Sequence, residues 1–371
     1  KIKKQINYKN AWLEIYDFPV VYFPKFFHPD PSVKRQSGLL KPEISSSNNL
    51  GSSIYVPYFL AISEDKDLTI KPRLFEDNKF LLQNEYRQKM KNSFTIADFS
   101  FVNGHDSSAQ DVGGTRSHLF TNTLIDLSLD SFKKSMLQIN YQKVSNDNYL
   151  KLFDLQSPLL LDDNSVLESK IQFDLEHENY DLTTSFEMYE TLSGSNSDRF
   201  QYVLPSYDFS KNFSLNNIDG SFNLSSYGNN TLTDTNVVTS SVSNDLIYSA
   251  LSKFFDNGIK TNLEIALKNI NTVGKNNPIY KNTTQSEIMS AYTYNASLPL
   301  IKKNSTTFNT LEPKLSLRFS PHEMKNNSNE SRRIDLSNIF SSNRLSLGNS
   351  FESGESITLG LNFKKEKVNV D

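Results

Sequence analysis

Residues 170–176 read Lys-Ile-Gln-Phe-Asp-Leu-Glu, so polar and apolar side chains alternate strictly along this stretch. Because successive side chains of a β-strand point to opposite sides of the sheet, Ile171, Phe173 and Leu175 share one face and the polar residues share the other. Residues 181–188 alternate in the same way. Both stretches therefore predict half-buried β-strands.

The same period-two pattern recurs along most of the chain. Apolar side chains stand at alternate positions in residues 137–142, 262–268, 314–319 and 357–364. Clusters of Asn, Ser, Gly and Asp separate such stretches, and these clusters mark turns and loops. We therefore predict an all-β fold, an antiparallel meander of about 14 or 15 strands with short and long hairpin connections.

This alternation fits two architectures. In a soluble β-sandwich the apolar faces meet inside and the polar faces contact water, whereas in a transmembrane β-barrel the apolar faces contact lipid and the polar faces line the lumen. Two features favour the barrel. The polar faces mix Lys, Arg, Asp and Glu, and so many sequential hairpins would leave long unpaired edges unless the sheet closed.

Composition limits the function classes. Of the 371 residues 37% are hydrophobic, and no apolar run approaches the roughly 18 residues that a transmembrane helix requires. The net charge of −3 provides no global basic field for nucleic acid. The sequence contains no Cys, which excludes disulfides and thiolate metal sites. Its 26 Phe and 17 Tyr suit half-buried strands.

No motif for catalysis or cofactor binding is present in the sequence. None of the five histidines stands at the i, i+2 or i, i+4 spacing of local metal sites. The G-x-S-x-G, P-loop and dinucleotide-binding glycine patterns are absent. We therefore expect a protein that is not an enzyme and that holds neither a cofactor nor a metal ion.

The first 50 residues differ from the rest of the chain. Pro19, Pro24, Pro29 and Pro31 interrupt an aromatic-rich tract, and proline excludes a regular central strand there. A segment rich in Ser, Asn and Gly, residues 45–53, follows this tract and indicates a boundary near Leu50. We therefore divide the chain into residues 1–50 and residues 51–371.

Two further prolines stand inside the first strands beyond this boundary. Pro57 interrupts residues 53–63 and Pro72 interrupts residues 68–75. Proline has no backbone N–H and removes a hydrogen bond from the ladder. Two interpretations remain open: edge strands or bulges that tolerate proline, or a seam built to open.

Several stretches carry a resemblance to a known family. They are residues 10–15 (Asn-Ala-Trp-Leu-Glu-Ile), 18–24 (Phe-Pro-Val-Val-Tyr-Phe-Pro), 28–29 (His-Pro), 35–42 (Arg-Gln-Ser-Gly-Leu-Leu-Lys-Pro), the hairpin of Pro57 and Pro72, and residues 141–147, 199–205, 310–313, 338–340 and 343–346. In this order they resemble the LptD family of lipopolysaccharide-assembly outer-membrane proteins, from the junction of its periplasmic β-jellyroll with its barrel onward.

The resemblance implies a lipopolysaccharide translocon in the outer membrane of a Gram-negative bacterium. Residues 1–50 would form the end of the β-jellyroll and the junction to the barrel, and residues 51–371 the first part of the barrel. The implied junction residues are Pro19, Pro24, Pro29, Gly38 and Pro42. Lipopolysaccharide would leave sideways through a lateral gate near the first barrel strands, at Pro57 and Pro72.

The resemblance also implies partners. These are lipopolysaccharide, outer-membrane lipid, an LptE-like plug lipoprotein and a periplasmic LptA-like bridge protein that acts through sequence upstream of Lys1. Nucleic acid is not among them. Because the chain has fewer predicted strands than that family's barrel, we expect an incomplete barrel, an open sheet in which the strand near Phe363 and the strand of Pro57 are both unpaired edges.

In a barrel, alternation assigns side chains to the lumen or to lipid. The residues expected to face the lumen are Lys170, Asp174, Glu176, Glu187, Lys314 and Arg318. Those expected to face lipid are Ile171, Phe173, Leu175, Leu182, Phe186 and Met188. Two other functions fit the pattern: a passive outer-membrane porin, which would lack the jellyroll junction, and a soluble or surface-exposed β-sandwich adhesin.

Overall fold

A computed structural model describes residues 5–15, 18–29, 35–47, 50–76, 79–105, 114–160, 165–193, 198–304, 307–323 and 332–367. Apart from one short helix, the regular structure in these ranges is β-strand. The chain divides into two compact units. The first contains residues 1–129, 135–173 and 187–201, and the second contains residues 130–134, 174–186 and 202–371.

The first described residues form a two-stranded antiparallel sheet. Strand β1 spans Gln5–Ile15 and strand β2 spans Phe18–Pro29. Pro19 lies opposite Glu14 and Pro29 lies opposite Gln5. Each strand of a two-stranded sheet has one edge without ladder hydrogen bonds, where proline is tolerated. The proline-rich tract is therefore an edge strand and not a central one, as its sequence predicts.

The rest of the first unit is an antiparallel meander. Its first strands are interrupted: β3 (Gly38–Leu39) and β4 (Glu43–Ser47) pair with β6 (Tyr58–Ala61) and β5 (Gly51–Tyr55), respectively. Strands β7 to β11 then pair in chain order. The further elements are β7 (Lys66–Phe75), β8 (Phe80–Lys89), β9 (Ser93–His105), β10 (Gly114–Asp126), β11 (Lys134–Val144), α1 (Tyr149–Leu152), β12 (Val166–Glu176) and β13 (Tyr180–Thr191), the last two with residues in both units.

The second unit is also an antiparallel meander, built from longer strands. Its elements are β14 (Phe200–Leu215), β15 (Ile218–Thr233), β16 (Val237–Ala250), β17 (Lys253–Phe254), β18 (Lys260–Lys275), β19 (Gln285–Ser297), β20 (Leu300–Lys303), β21 (Thr307–Ser320) and β22 (Gly354–Lys367). The long strands pair with their long neighbours in chain order, while β17 pairs with β18 and β20 pairs with β21.

The predicted strands are present. Each alternating stretch, from residues 137–142 to residues 357–364, lies within one strand. If β5 and β6 are taken as one interrupted strand and the short β17 and β20 are left out, the described residues after Leu50 contain 15 strands, within the expected range. In the described ranges, no helix has the length and apolar content needed to cross a membrane.

In strands of both units, polar side chains are buried next to apolar side chains that are exposed, and the buried face of the first unit also contains apolar residues such as Leu81, Val102 and Phe120. In β9 of the first unit, Asp98 and Ser100 are buried while Phe101 is 43% exposed. In β22 of the second unit, Thr358 is buried while Leu359 is 78% exposed. A soluble sandwich would have the opposite distribution, because its apolar faces meet inside. The strands therefore have the polarity of an outer-membrane barrel wall, the architecture that the sequence favours.

The exposed apolar face of β22 should tolerate no charge. We expect Leu359→Arg to destabilise the full-length protein in lipid vesicles by about 2–4 kcal/mol, because an arginine in the hydrocarbon loses its hydration. The matched control Leu359→Ile should stay within about 0.5 kcal/mol of the parent. The measurement is urea-induced unfolding of protein folded into vesicles. Equal midpoints for the two variants would show that this face does not contact lipid.

Candidate functional site: a proline-interrupted seam and its loop

Three neighbouring strands of the first unit each have a proline at nearly the same level. Two of these strands are interrupted there, and the third is continuous. Pro57 lies in the gap between β5 and β6, and Pro72 lies within β7. The pairing on either side of the gap places Val56 opposite Pro72 and Pro57 opposite Lys71. Pro42 ends the gap between β3 and β4, directly before pairing resumes. We call Pro42, Pro57 and Pro72 the proline row.

The proline row interrupts the backbone ladder. Residues 40–42 and 56–57 belong to no strand, although Leu40 N donates to the Pro57 carbonyl at 2.8 Å across the gap. Pro57 and Pro72 have no N–H to donate. On its other side Pro72 stays in register with Leu82, so the pairing of β7 with β8 is continuous. The weakness therefore lies among the strands that precede β8.

The strand of Pro57 is not an unpaired edge, and that prediction is wrong. Strands β5 and β6 pair with β3 and β4 on one side and with β7 on the other. The reason is that residues 38–47, which lie before the predicted boundary, already belong to the sheet. Leu50 is buried in the turn between β4 and β5. The division at residue 50 stays a prediction.

A cavity of about 260 Å³ lies beside the proline row. Pro57 lines it together with charged and polar side chains, among them Lys41, Lys71, Glu43 and Asp154. Lys71 also forms an ion pair with Glu85 at 3.1 Å. Because the sheet backbone is interrupted here, side chains rather than ladder hydrogen bonds fill the space beside the gap.

Arg73 connects the gap with the loop that follows β11. Its Nε donates to Ser53 Oγ at 3.0 Å and its Nη2 donates to Ser45 Oγ at 2.5 Å, so one guanidinium bridges β4, β5 and β7. Its Nη1 donates to the carbonyl of Phe153 at 2.6 Å. Arg73 is only 8% exposed. A buried guanidinium with acceptors on all sides therefore holds this loop, residues 145–160, against the strands.

The same loop is tied to β8 and β9. Gln83 Nε2 donates to the carbonyl of Gln156 at 2.9 Å, and the Tyr149 hydroxyl lies 2.7 Å from Ser100 Oγ. Burial raises the pKa of Tyr149 to about 12. The phenol therefore stays neutral at physiological pH and keeps this hydrogen bond.

Ser100, His118 and Asp98 form a hydrogen-bonded chain beneath the loop. Ser100 Oγ lies 2.6 Å from His118 Nδ1, and His118 Nε2 lies 3.2 Å from Asp98 Oδ1. The order resembles a catalytic triad, but the three residues are at most 3% exposed. Tyr149 also contacts the serine hydroxyl. A substrate has no access to Ser100, so this chain supports the loop and does not catalyse a reaction.

The implied junction residues lie on β2 and at the start of the meander. Gly38 is buried, and a Cβ added there would lie 3.9 Å from the Phe27 ring, so β2 approaches β3 at this point. Arg35 forms an ion pair with Asp67 of β7. A junction role stays a prediction for these residues: Pro19, Pro24 and Pro29 in β2, Gly38 in β3, and Pro42 before β4.

The residues predicted to face the lumen are dispersed. Lys314 and Arg318 share one face of β21, where Lys314 pairs with Glu312 at 3.1 Å and Arg318 is buried. The other four lie on β12 and β13: Lys170 pairs with Glu168 at 3.5 Å, Asp174 accepts from Thr183, Glu187 accepts from Tyr189, and Glu176 is exposed. Their orientation toward a lumen stays a prediction.

The residues predicted to face lipid differ in exposure. Ile171 and Phe186 are each 44% exposed. The others are half-buried, namely Phe173, Leu175, Leu182 and Met188. Their contact with lipid also stays a prediction.

Sequence reasoning missed the loop of residues 145–160 and its anchor Arg73. The hydrogen bond from Arg73 to Phe153 joins positions 80 residues apart, and no local periodicity predicts such a contact. The alignment of the proline row did have a signal. Pro42, Pro57 and Pro72 are spaced by 15 residues, with turn-forming residues between them. This spacing indicates that the three prolines lie in neighbouring strands, but the level of each one also depends on where each turn falls, which the spacing alone does not give.

Comparison with known proteins gives the chain's relationship. The family model of LptD, LPS transport system D, matches residues 126–364, well over half of the chain. The chain belongs to the LptD family. The description of this family is that of a lipopolysaccharide transport system and not of an enzyme, and membership in it indicates the Gram-negative outer membrane as the location.

Curated LptD proteins match parts of the chain. The LPS-assembly protein LptD of Idiomarina loihiensis is 26% identical over 195 residues, 52% of this chain and 25% of that protein. The one from Pseudoalteromonas translucida is 37% identical over 98 residues, 26% of this chain and 13% of that protein. The one from Pseudomonas aeruginosa strain UCBPP-PA14 is 27% identical over 146 residues, which are 39% of this chain and 16% of that protein. The matched regions thus span a quarter or less of these LptD relatives.

Arg73→Gln should loosen the loop of residues 145–160. We expect its local stability to fall by about 1.5–3 kcal/mol, because hydrogen bonds from a charged donor are lost. The measurement is amide hydrogen exchange of the full-length protein in detergent. Arg87→Gln is the matched control: Arg87 pairs with Asp67 and Glu85 on β7 and β8, so its loss should leave exchange in the loop unchanged. Unchanged exchange in Arg73→Gln would mean that apolar contacts alone hold the loop.

Proposed function

We propose that this chain forms part of an outer-membrane translocon that inserts lipopolysaccharide into the outer leaflet, and that the proline row is its lateral gate. The observation that carries the proposal is that Pro42, Pro57 and Pro72 lie within one residue of the same level in three neighbouring strands, two of which are interrupted there. Membership in a lipopolysaccharide transport family supplies the substrate.

The polarity of the strands suits an amphipathic cargo. Acyl chains belong in hydrocarbon, whereas a sugar chain needs hydrogen-bonding groups or water along its path. The strands carry apolar side chains on an exposed face and polar side chains on a buried one, as Leu359 and Thr358 do in β22. A lateral gate lets both halves of the cargo stay in their preferred surroundings while the lipid moves sideways.

The proline row lowers the work of opening. Each hydrogen bond missing from the ladder removes roughly 0.5–1.5 kcal/mol of net stabilisation. Prolines in adjacent strands at one level concentrate this loss in a single place. Strand pairing on both sides of the Pro57 strand keeps the closed sheet continuous around that place.

The partners in this proposal follow from the family. Lipopolysaccharide and outer-membrane lipid would contact the chain directly. An LptE-like plug lipoprotein would contact the polar face, and a periplasmic LptA-like bridge protein would deliver lipopolysaccharide through other parts of the protein. The adhesin alternative requires apolar faces that meet inside, and the exposure of Leu359 and Phe101 is contrary to it.

Restoring the missing donors should tighten the gate. In the full-length protein we expect Pro57→Val/Pro72→Val to slow the appearance of lipopolysaccharide at the cell surface, because valine favours strand pairing and supplies a backbone N–H. The measurement is surface lipopolysaccharide, together with outer-membrane permeability to large antibiotics, in cells that depend on the variant.

Pro313→Val provides the matched control. Pro313 lies within β21 of the second unit, paired with Leu361, and does not belong to the proline row. It should leave transport unchanged at equal insertion levels. Normal surface lipopolysaccharide in the double variant would remove Pro57 and Pro72 from the mechanism and leave them as tolerated strand residues.

A further inference from the structure

A second loop folds back onto the polar face of the second unit. Residues 332–353 connect to β22 and pack against neighbouring strands, and we call them the returning loop. Arg318 Nε donates to the Ser342 carbonyl and its Nη2 donates to the Glu352 carbonyl, both at 2.7 Å. The Tyr227 hydroxyl donates to the Gly348 carbonyl at 2.7 Å. Strands and loop are therefore joined at several separate points.

Phe340 of the returning loop reaches the middle of β22. A Cβ added to Gly360 would lie 2.5 Å from the Phe340 ring, so the ring rests on a position that has no side chain. Gly360 pairs with Lys314 of β21. The aromatic ring is thus held beside Lys314 on the polar face.

A cavity of about 320 Å³ lies between Phe340 and the strands. Phe340 forms one wall, and the polar lining comes from β18, β19 and β21 through Lys260, Asn262, Asn295, Ser297, Glu312 and Lys314. These strands pair so that Lys260, Ser297 and Lys314 form one row across the sheet. This volume is large enough for a small organic ligand.

The lining offers unused hydrogen-bonding capacity. Asn295 Oδ1 is buried and has no hydrogen-bond partner among the described residues. Outside the lining of this cavity, Thr293 Oγ1, Arg318 Nη1 and Ser356 Oγ form a row across β19, β21 and β22 and are also buried without a partner in the described ranges. Buried polar groups nearly always have partners, so Asn295 Oδ1 indicates a position in the cavity that a polar ligand or water fills.

The charges of the cavity favour an anion. Lys260 and Lys314 bring two ammonium groups, and Glu312 brings one carboxylate, which Lys314 already contacts at 3.1 Å. The lining thus carries one net positive charge. Lys260 forms no ion pair with a carboxylate of the described residues and lies 5.9 Å from the Phe254 ring centroid.

We propose that this cavity binds one sugar residue of a negatively charged glycan, with the sugar ring against Phe340 and its phosphate or carboxylate near Lys260 and Lys314. The proposal rests on the proposed function, because it names the part of the cargo that this face would contact. An aromatic face beside amides and charged groups suits a sugar: the ring C–H groups pack on the aromatic surface while the hydroxyls find donors and acceptors.

The test uses three probes on the full-length protein in detergent. Glucose 6-phosphate carries both parts of the proposed ligand, glucose lacks the charge, and inorganic phosphate lacks the ring. Binding is measured by saturation-transfer NMR for the sugars and by phosphorus NMR for inorganic phosphate. We expect glucose 6-phosphate to bind about tenfold more tightly than either other probe, since each part contributes separately.

Variants of the cavity locate the binding. Phe340→Leu and Lys314→Gln should each weaken glucose 6-phosphate binding about tenfold, and Phe340→Trp should keep it because the aromatic surface remains. The matched controls are Phe363→Ala, on the exposed apolar face of β22, and Lys303→Gln, on exposed β20. Both controls should bind like the parent. Heat-modifiable migration on gels confirms that each variant is folded.

The outcomes are separable. Equal binding by Phe340→Leu and the parent, equal binding of glucose and glucose 6-phosphate, or no detectable sugar binding would each overturn the proposal, even if surface lipopolysaccharide is normal. Displacement of glucose 6-phosphate by deacylated lipopolysaccharide would identify that glycan as the source, whereas its failure would leave the site to free sugar phosphates. Loss of the transport function with intact, variant-sensitive sugar binding would contradict the proposed function alone.

Discussion

The backbone hydrogen-bond ladder is the constraint on which the rest of this structure depends. A sheet in contact with hydrocarbon has no water to satisfy an unpaired N–H or carbonyl, so each strand must be paired along its length. The long strands of the second unit follow this rule from β14 to β22. Pro42, Pro57 and Pro72 depart from this rule in three neighbouring strands, and the proposed lateral gate would account for that departure.

Both units use an arginine on the polar face to hold a loop. Arg73 donates to the carbonyl of Phe153, and Arg318 donates to the carbonyls of Ser342 and Glu352. A guanidinium is suited to this role because its donors point in fixed directions and it stays charged at all relevant pH values. A main-chain carbonyl accepts these hydrogen bonds without a charge of its own, so both arginines hold backbone rather than a carboxylate.

The strand pattern could be predicted from sequence, while the loops could not. The alternate spacing of Ile357, Leu359 and Leu361 predicts that they share one face of a strand. In β22 all three side chains are exposed. Mixed charges in the polar faces and the long edges that so many hairpins would leave open favour a barrel over a sandwich, and the burial of Asp98 agrees with this. No local sequence pattern predicts the contacts of Arg73 and Phe340, because these contacts join segments that are distant in the sequence. The prediction that the strand of Pro57 is an unpaired edge is wrong because β3 and β4, within residues 38–47, also belong to the sheet.

The proline row and the loop of residues 145–160 are coupled through one side chain. Arg73 bonds to Ser45 and Ser53, which lie on the two strands that precede β7, and also to the carbonyl of Phe153. The guanidinium therefore crosses the region where the prolines remove ladder hydrogen bonds. Withdrawing the loop would leave a buried donor without its acceptor, which costs about 1–3 kcal/mol or more for a charged group. A closed seam and a docked loop consequently stabilise each other, and neither can change without affecting the other.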